Sequence, residues 1–251
     1  MAPPAGKDEG VAQLPGTVLT APWAVLFDMD GTLVDTEVLL LEALSAVLAA
    51  SGVPASAIRP EELRGRAVEE NLTRLSGLMR SPMPPRELYA RVADRMLGRM
   101  RTGVAPLPGA VGLLGSLRRA GVPCALVSSS YRAMVDAVLP SLGAAGFAAT
   151  VAGDEVRRPK PDPEGYLTAA ARLGVAPGNC VVVEDSSAGL RSGLAAGCVT
   201  VAVAPTAQPV ALTVAGLTGL TVDGLARLVA TGSRGAGSRA PAPADRHRPA
   251  S

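Results

Sequence analysis

Two carboxylates one residue apart, Asp28 and Asp30, are the side chains of this chain best placed to do chemistry. They follow the apolar run Ala24–Phe27 and precede Gly31, a pattern that predicts a buried parallel strand ending in a turn. Carboxylates at the carboxyl end of such a strand lie where open α/β sheets bind ligands. Two acidic groups this close repel each other unless a cation or a shared proton compensates them. Mg²⁺ prefers oxygen ligands and usually acts on phosphate, so the pattern favours phosphoryl transfer with an aspartate nucleophile.

A plain acidic turn is the alternative, because Asp and Gly are common turn residues. Three later segments argue against it, since each ends an apolar run with polar residues: Ala125-Leu126-Val127-Ser128-Ser129, Arg158-Pro159-Lys160-Pro161-Asp162-Pro163 and Val181-Val182-Val183-Glu184-Asp185-Ser186. Lys160 and Lys7 are the only lysines in a chain that otherwise uses arginine. The compact ammonium of Lys160 could bridge a nucleophile and a phosphoryl group, although a solvated loop lysine is the other interpretation.

Together with Asp28-Met29-Asp30-Gly31-Thr32, these segments resemble the four motifs of the haloacid dehalogenase-like (HAD) hydrolase superfamily. The match is closest to the subfamily that contains β-phosphoglucomutase-like phosphatases, and it covers residues from about 22 to 228. The resemblance implies an α/β fold with a Rossmann-like parallel sheet core, helices on both faces and an inserted all-helical cap domain. Independently, the alternation of apolar runs with helical patterns predicts repeated βα units and a parallel sheet.

The resemblance also implies a role for each motif residue. Asp28 would be the nucleophile that forms an aspartyl-phosphate. Asp30 would be the general acid and base, with Thr32 orienting it and its backbone carbonyl on the metal. The implied Mg²⁺ ligands are Asp28, Asp30, Asp185 and, directly or through water, Glu184. The implied phosphate-binding residues are Thr32, Ser128, Ser129 and Lys160, although Ser128 also has the simpler interpretation of an N-cap-like residue.

Composition and periodicity divide the chain into four parts. Residues 1–20 are rich in Pro, Gly and Ala and predict a flexible N-terminal arm. Residues 21–36 and 106–230 form the predicted core. Residues 37–105 have helical periodicity without a clear strand, which predicts the cap. Residues 231–251, with their Gly-Ser-Arg and Pro-Ala repeats, predict a disordered tail.

The predicted strands are Ala24–Phe27, Cys124–Ser128, Thr150–Ala152, Cys180–Val183 and Val199–Val203. The predicted cap helices are Val38–Ala50, Glu61–Leu78 and Pro85–Met100. The predicted core helices are Ala110–Ala120, Tyr131–Ser141, Pro163–Leu173 and Ser187–Ala196.

The cap residues narrow the choice among relatives. Phosphonate-cleaving relatives need a cap lysine, and residues 37–105 contain none. β-Phosphoglucomutase-like isomerases carry a histidine and an arginine at two cap positions where this chain has Leu40 and Val68. Arg64 and Arg66, in the predicted cap loop, would contact polar groups of the substrate; the alternative is that they are solvated charges at a helix end.

Composition also limits the partners. The net charge is +2 and no basic stripe with interleaved aromatics is present, so nucleic acid is not expected. Three cysteines without metal spacing suit a reducing compartment, and Pro15 and Pro22 interrupt the uncharged stretch before Asp28, so no membrane partner is expected. We therefore expect a cytoplasmic protein that is a monomer or a weak homodimer. His247, the only histidine, lies in the tail, which leaves acid–base catalysis to carboxylates.

Three functions remain open. The leading hypothesis is an Mg²⁺-dependent phosphatase that acts on a small phosphorylated metabolite, such as a sugar or polyol phosphate. The second is a β-phosphoglucomutase-like phosphosugar isomerase, which would need a bisphosphate activator and release little free phosphate. The third is a catalytically silent phospho-ligand-binding protein, against which the full set Asp28, Asp30, Lys160 and Asp185 argues.

Overall fold

The structure is a computed structural model that describes residues 22–59, 68–143 and 146–236. The predicted N-terminal arm, Arg64 and Arg66 of the predicted cap loop, and the tail beyond Ala236 lie outside the described residues.

The described strands are β1 (Ala24–Phe27), β2 (Cys124–Val127), β3 (Ala149–Val151), β4 (Cys180–Glu184), β5 (Val199–Ala202) and β6 (Leu212–Thr213). Over the described residues they form one parallel sheet with the order β3-β2-β1-β4-β5-β6. Every residue of β1, β2 and β4 is buried. Burial on both faces explains why these strands are continuous apolar runs without polar alternation.

The described helices are α1 (Glu37–Ala50), α2 (Val68–Gly77), α3 (Pro85–Met100), α4 (Ala110–Arg119), α5 (Arg132–Val138), α6 (Glu164–Leu173), α7 (Ser187–Ala195) and α8 (Val222–Ala236). Side chains of α4, α5 and α8 pack with Val25 and Phe27 on one face of the sheet. Side chains of α6 pack with Ala24 and Leu26 on the opposite face, where Gly193 of α7 also approaches β4. The predicted Rossmann-like core with helices on both faces is confirmed.

Helices α1 to α3 lie between β1 and α4, with no strand in the described parts of residues 37–105. They share a separate apolar cluster that includes Leu44, Leu48, Leu72, Leu75 and Leu88. The two connections of this insert to the core lie side by side, because Val34 pairs with Pro106 in an antiparallel bridge. The Leu107 N–H also donates to the Leu33 carbonyl over 2.8 Å. The action of the insert as a cap stays a prediction.

Two core segments differ from the sequence prediction. The predicted helix Tyr131–Ser141 is α helical only as far as Val138, and the 3₁₀ turn that follows contains Pro140, which has no N–H to continue the helix. The last helix, which we had not predicted, continues to Ala236, so residues 231–236 are helical rather than part of the tail. At Gly232 this helix approaches β5 closely, because a Cβ there would lie 3.0 Å from Val199 Cγ2.

All three cysteines, Cys124, Cys180 and Cys198, are buried free thiols. Burial raises the pKa of Cys124 and of Cys198 to about 12, so neither is a reactive thiolate. Their packing agrees with small buried apolar residues. Over the part of the chain that the structure describes, no helix is both long and apolar enough to cross a lipid bilayer.

Replacing either of two helical glycines by alanine should change the stability of the fold, in opposite directions. A Cβ at Gly193 would lie 3.0 Å from Val182 Cγ1 in the buried strand β4, whereas a Cβ at the exposed Gly112 of α4 has nothing within 4 Å. Gly193→Ala should therefore lower the free energy of unfolding by about 1 kcal/mol net, because overpacking exceeds the gain in helix propensity. Gly112→Ala should raise it by about 0.5–1 kcal/mol.

Urea unfolding of the two variants beside the wild type measures both changes. An equal gain in stability for the two would show that α7 does not pack against the sheet as closely as described.

Candidate active site

The register of the sheet brings the motif residues to one edge. Phe27, the last residue of β1, pairs with Leu126 of β2 and with Val183 of β4, so the three strands end at nearly the same level. The side chains that follow these ends therefore meet outside the carboxyl edge of the sheet, where α/β folds bind ligands. Those side chains are Asp28, Asp30, Ser128, Ser130, Glu184 and Asp185.

Lys160 lies at the centre of this edge. Its Nζ donates to Asp28 Oδ1 over 2.6 Å, to Glu184 Oε1 over 2.7 Å and to the Val127 carbonyl over 3.0 Å, and its side chain is only 8% exposed. These bonds use all three ammonium donors. Burial alone would lower the pKa of Lys160, but Asp28, Tyr166 and Glu184 hold it well above its usual value. The lysine is therefore a fixed positive charge rather than a base.

Glu184 holds Lys160 in place and is fully buried. Its Oε1 accepts from Lys160 and from the Tyr166 hydroxyl at 3.1 Å, while its Oε2 accepts from the N–H and the hydroxyl of Ser186 at 2.8 and 2.9 Å. A carboxylate offers about four acceptor positions, and four donors occupy them. Any Cβ at Gly189 would overlap Glu184 Oε1, so α7 needs a glycine there.

The three carboxylates that come together among the described residues are Asp28, Glu184 and Asp185, with ligand oxygens within 4.8 Å of one another. Burial, followed by the charge of Glu184, raises the pKa of Asp28 well above its usual value. The same two causes, in the same order, raise the pKa of Asp185 to about 6. Three carboxylates thus lie close together around the single ammonium of Lys160, and a hard divalent cation with oxygen ligands would balance the remaining negative charge.

Gly31 closes the turn beside this acidic cluster. Its φ is +79°, in the region that favours glycine, and a Cβ at this position would overlap Asp185 Oδ2. Two independent requirements therefore select glycine after Asp30. Thr32, in the same turn, donates to Asp185 Oδ1 over 3.4 Å.

Of the four predicted metal ligands, Asp30 is the one whose carboxylate is not part of the acidic cluster. Its Oδ1 accepts from the Thr36 hydroxyl at 2.8 Å, and its Oδ2 accepts from Ser128 and Ser130 at 3.0 and 2.9 Å. The strand ends at Phe27, so the two-residue alternation of a strand no longer aligns Asp28 with Asp30. Thr32 was expected to orient Asp30, but these three hydroxyls do so instead.

Several of these contacts are to residues that the sequence prediction missed. Thr36, Ser130, Tyr166 and Gly189 all touch predicted site residues, yet none belongs to the positions singled out above. Ser130 could have been found because it completes a run of three serines, and Tyr166 because the chain has only three tyrosines. Ser129, which was predicted to bind phosphate, is exposed, and its carbonyl packs against Gly153.

A cavity of about 440 Å³ opens from the site towards the insert. The core contributes Asp30, Gly31, Ser130, Met134 and Asp185 to its lining, and α1 to α3 contribute mostly apolar side chains: Leu40, Leu44, Leu72, Leu75, Val92, Ala93 and Met96. Tyr89 of α3 also lines it and contacts Tyr131 of the core edge to face, with ring centroids 5.5 Å apart. The insert therefore forms the second wall of a space large enough for a small ligand.

Comparisons with known proteins agree with this geometry. Residues 24–197 match the family model described as haloacid dehalogenase-like hydrolase. The chain is 37% identical to hexitol phosphatase A of Escherichia coli over 191 residues, which cover 73% of this chain and 84% of that protein. It is 33% identical to the fructose-1-phosphate phosphatase YqaB of the same organism over 176 residues, covering 69% of this chain and 92% of the relative.

Among solved structures, CbbY from Rhodobacter sphaeroides in complex with phosphate superposes with a TM-score of 0.70 at 27% identity. That superposition covers 82% of this chain and 99% of CbbY. The matched residues 24–197 include the four motifs whose side chains meet at the edge of the sheet. The chain therefore belongs to the haloacid dehalogenase-like hydrolases, in the branch that includes these phosphatases.

Proposed function

We propose that this protein is an Mg²⁺-dependent phosphatase that hydrolyses a small phosphorylated metabolite, of the sugar or polyol phosphate type, through an aspartyl-phosphate. The observation that carries the proposal is the buried contact of Lys160 with Asp28, next to Asp185 and a separately held Asp30. The relatives named as hexitol phosphatase and fructose-1-phosphate phosphatase support the substrate class.

In the first step, a carboxylate oxygen of Asp28 attacks phosphorus, and the bond from phosphorus to the leaving oxygen breaks. Lys160 holds Asp28 in one orientation and offsets charge on the phosphoryl oxygens. Asp30, carrying a proton, gives it to the leaving oxygen. In the second step Asp30 takes a proton from water, the water oxygen attacks phosphorus, and phosphate leaves Asp28 free again.

The residues present fit a divalent cation. Asp28 and Asp185 have carboxylate oxygens available for it, and the backbone carbonyl of Asp30 would be a third ligand by resemblance to the family. Glu184 would hold Lys160 rather than bind the metal, because its four acceptor positions are occupied by Lys160, Tyr166 and Ser186. When bound, Mg²⁺ would supply positive charge to the transferring phosphoryl group.

The cavity wall of α1 to α3 would hold the leaving group. The cavity volume of about 440 Å³ suits a small metabolite, and Asp30 in its lining would lie beside the leaving oxygen as the proton donor. This arrangement supports the insert as the cap of the enzyme. Leu40 lines the cavity where the isomerases carry a histidine, so the phosphatase is the function we propose rather than the isomerase.

Replacing the nucleophile should abolish turnover. We expect Asp28→Asn to lower phosphate release from p-nitrophenyl phosphate with Mg²⁺ by at least about 10³-fold, because an amide is a poor nucleophile. Asp35→Asn, a matched change at an exposed position just before α1, should leave the rate within about twofold of the wild type.

Full activity of Asp28→Asn would overturn the proposed mechanism. A wild type that releases phosphate only with a bisphosphate activator would point to the isomerase, and phosphate binding without turnover would point to the silent binding protein.

The role of Asp30 predicts a dependence on the leaving group. A nitrophenolate leaves without a proton, whereas an alkoxide such as that of glycerol 3-phosphate needs one. We expect Asp30→Asn to lower kcat/KM, which reports the first step alone, about 10³-fold for glycerol 3-phosphate but only about tenfold for p-nitrophenyl phosphate. Thr36→Val, which removes one hydrogen bond to Asp30, should show the same trend with smaller losses. Equal losses on the two substrates in Asp30→Asn would remove it as the proton donor.

The close fit of Gly31 predicts an effect on the metal. Gly31→Ala should raise the Mg²⁺ concentration needed for half-maximal activity by about tenfold or more, because the methyl group would push Asp185 away. Gly121→Ala is the matched control, since Gly121 has a similar φ of +70° but open space around it. Titration of activity with Mg²⁺ measures both variants, and an equal shift in the two would mean that backbone strain alone is responsible.

A further inference from the structure

The segment Ser128–Ser130, here called the serine loop, rests on the turn that follows β3. The Ser128 N–H donates to the Val151 carbonyl over 3.0 Å, and the Gly153 N–H donates to the Ser130 carbonyl over 2.8 Å. A Cβ at Gly153 would overlap the Ser129 carbonyl oxygen, so the two backbones are in direct contact. The position of the serine loop therefore depends on how the turn at residues 153–155 is held.

Arg132 ties the end of the serine loop to this turn. It is the first residue of α5, and its N–H donates to Asp154 Oδ1 over 2.9 Å. Its guanidinium donates through Nε to Glu155 Oε1 over 2.8 Å and through Nη1 to Thr150 Oγ1 over 2.9 Å. One side chain thus joins the helix after the serine loop to the end of β3.

Glu155 extends the connection to α6. Its Oε2 accepts from Arg172 Nη1 at 3.0 Å and from the Ala152 N–H at 3.4 Å, and Arg172 also donates to the Thr150 carbonyl. Burial would raise the pKa of Glu155, but hydrogen bonds from Arg132 and Arg172 outweigh it and keep the pKa below its usual value. Glu155 is thus held as a carboxylate between two arginines from different helices.

Arg132 also forms an ion pair with a second carboxylate, that of Asp136, which is an ordinary surface pair and serves as a comparison for Glu155. Asp136 lies one turn along the same helix, 3.2 Å from Arg132 Nη1, and its side chain is 57% exposed, against 28% for Glu155. The pair of Arg132 with Asp136 lies within α5. Glu155, in contrast, joins Arg132 of α5 to Arg172 of α6 and to the Ala152 N–H that follows β3. Pairs within one exposed helix contribute little to stability.

We propose that Glu155 is a positioning residue for catalysis: through Arg132 it fixes the serine loop, and with it the hydroxyls of Ser128 and Ser130 that hold Asp30. This inference rests on the proposed function and on the predicted role of Ser128 and Ser129 in binding the phosphoryl group. Glu155 itself contacts none of the predicted site residues that the structure describes. A displacement of the loop would loosen phosphate binding and misplace the proton donor together, and small misplacements of catalytic groups have large effects on rate.

The test compares Glu155→Gln with Asp136→Asn. Each removes one carboxylate charge from Arg132 at nearly constant volume. We expect Glu155→Gln to weaken competitive inhibition by inorganic phosphate and to lower kcat for glycerol 3-phosphate, each by about tenfold. Asp136→Asn should change neither by more than about twofold. Because the acidic cluster lies on β1 and β4, the Mg²⁺ concentration for half-maximal activity should stay the same in both variants.

Two further measurements separate positioning from a loss of folding. The melting temperatures of the two variants should be similar, and the effect of Glu155→Gln should disappear when Arg132→Gln is already present, since both act through one contact. Equal phosphate inhibition in the two variants, or additive losses in the double variant, would overturn the inference. Calorimetry measures phosphate affinity without turnover. A wild type that binds phosphate but hydrolyses nothing would refute the proposed function. The phosphate affinities of Glu155→Gln and Asp136→Asn would still show whether Glu155 positions the serine loop.

Discussion

The site depends on one buried ion pair. Lys160 carries the only described positive charge in contact with the carboxylates of Asp28 and Glu184. Breaking such a pair by removing one partner costs about 3–5 kcal/mol in proteins, because the remaining charge stays buried and unbalanced. The fold satisfies every donor of this ammonium and every acceptor of Glu184, which leaves Asp28 as the carboxylate of the group with a free oxygen. The same pair therefore stabilises the edge of the sheet and orients Asp28, the proposed nucleophile.

The parallel sheet makes that pair possible. Three buried strands end at the same level, so residues from positions 28, 128 and 184 meet although they are far apart in sequence. Two glycines leave space for the carboxylates. A methyl group at Gly31 would overlap a carboxylate oxygen of Asp185, and one at Gly189 would overlap a carboxylate oxygen of Glu184. The carboxylates of Asp185 and Glu184 are therefore in close contact with the backbone at these two glycines.

Much of the fold and the motif residues could be predicted from the sequence, because both follow from local patterns. The runs before Asp28 and Glu184 are apolar since their strands are buried on both faces, and the family motifs mark the charges at their ends. Side-chain direction could not be predicted the same way. Asp30 turns to Thr36 and Ser130 because the strand stops at Phe27, and no local pattern shows where the chain goes next.

The last helix, α8, is a part of the fold that could not be predicted from the sequence. Its glycines oppose helix formation, but Leu225 and Val229 pack into the core beside the sheet, and Gly232 lies close to Val199 of β5. The short strand β6 was missed for a similar reason, since two exposed residues carry no apolar pattern. Tertiary contacts decided both elements where local propensity was weak.

The adjoining connections at Val34 and Pro106 have a consequence for the evolution of specificity. Because the chain leaves and re-enters the core at a single paired point, the intervening helices can be lengthened, shortened or exchanged while the sheet and its charges stay unchanged. Under the proposed function, changes in these helices would therefore alter which molecules are recognised without altering the residues that carry out the reaction.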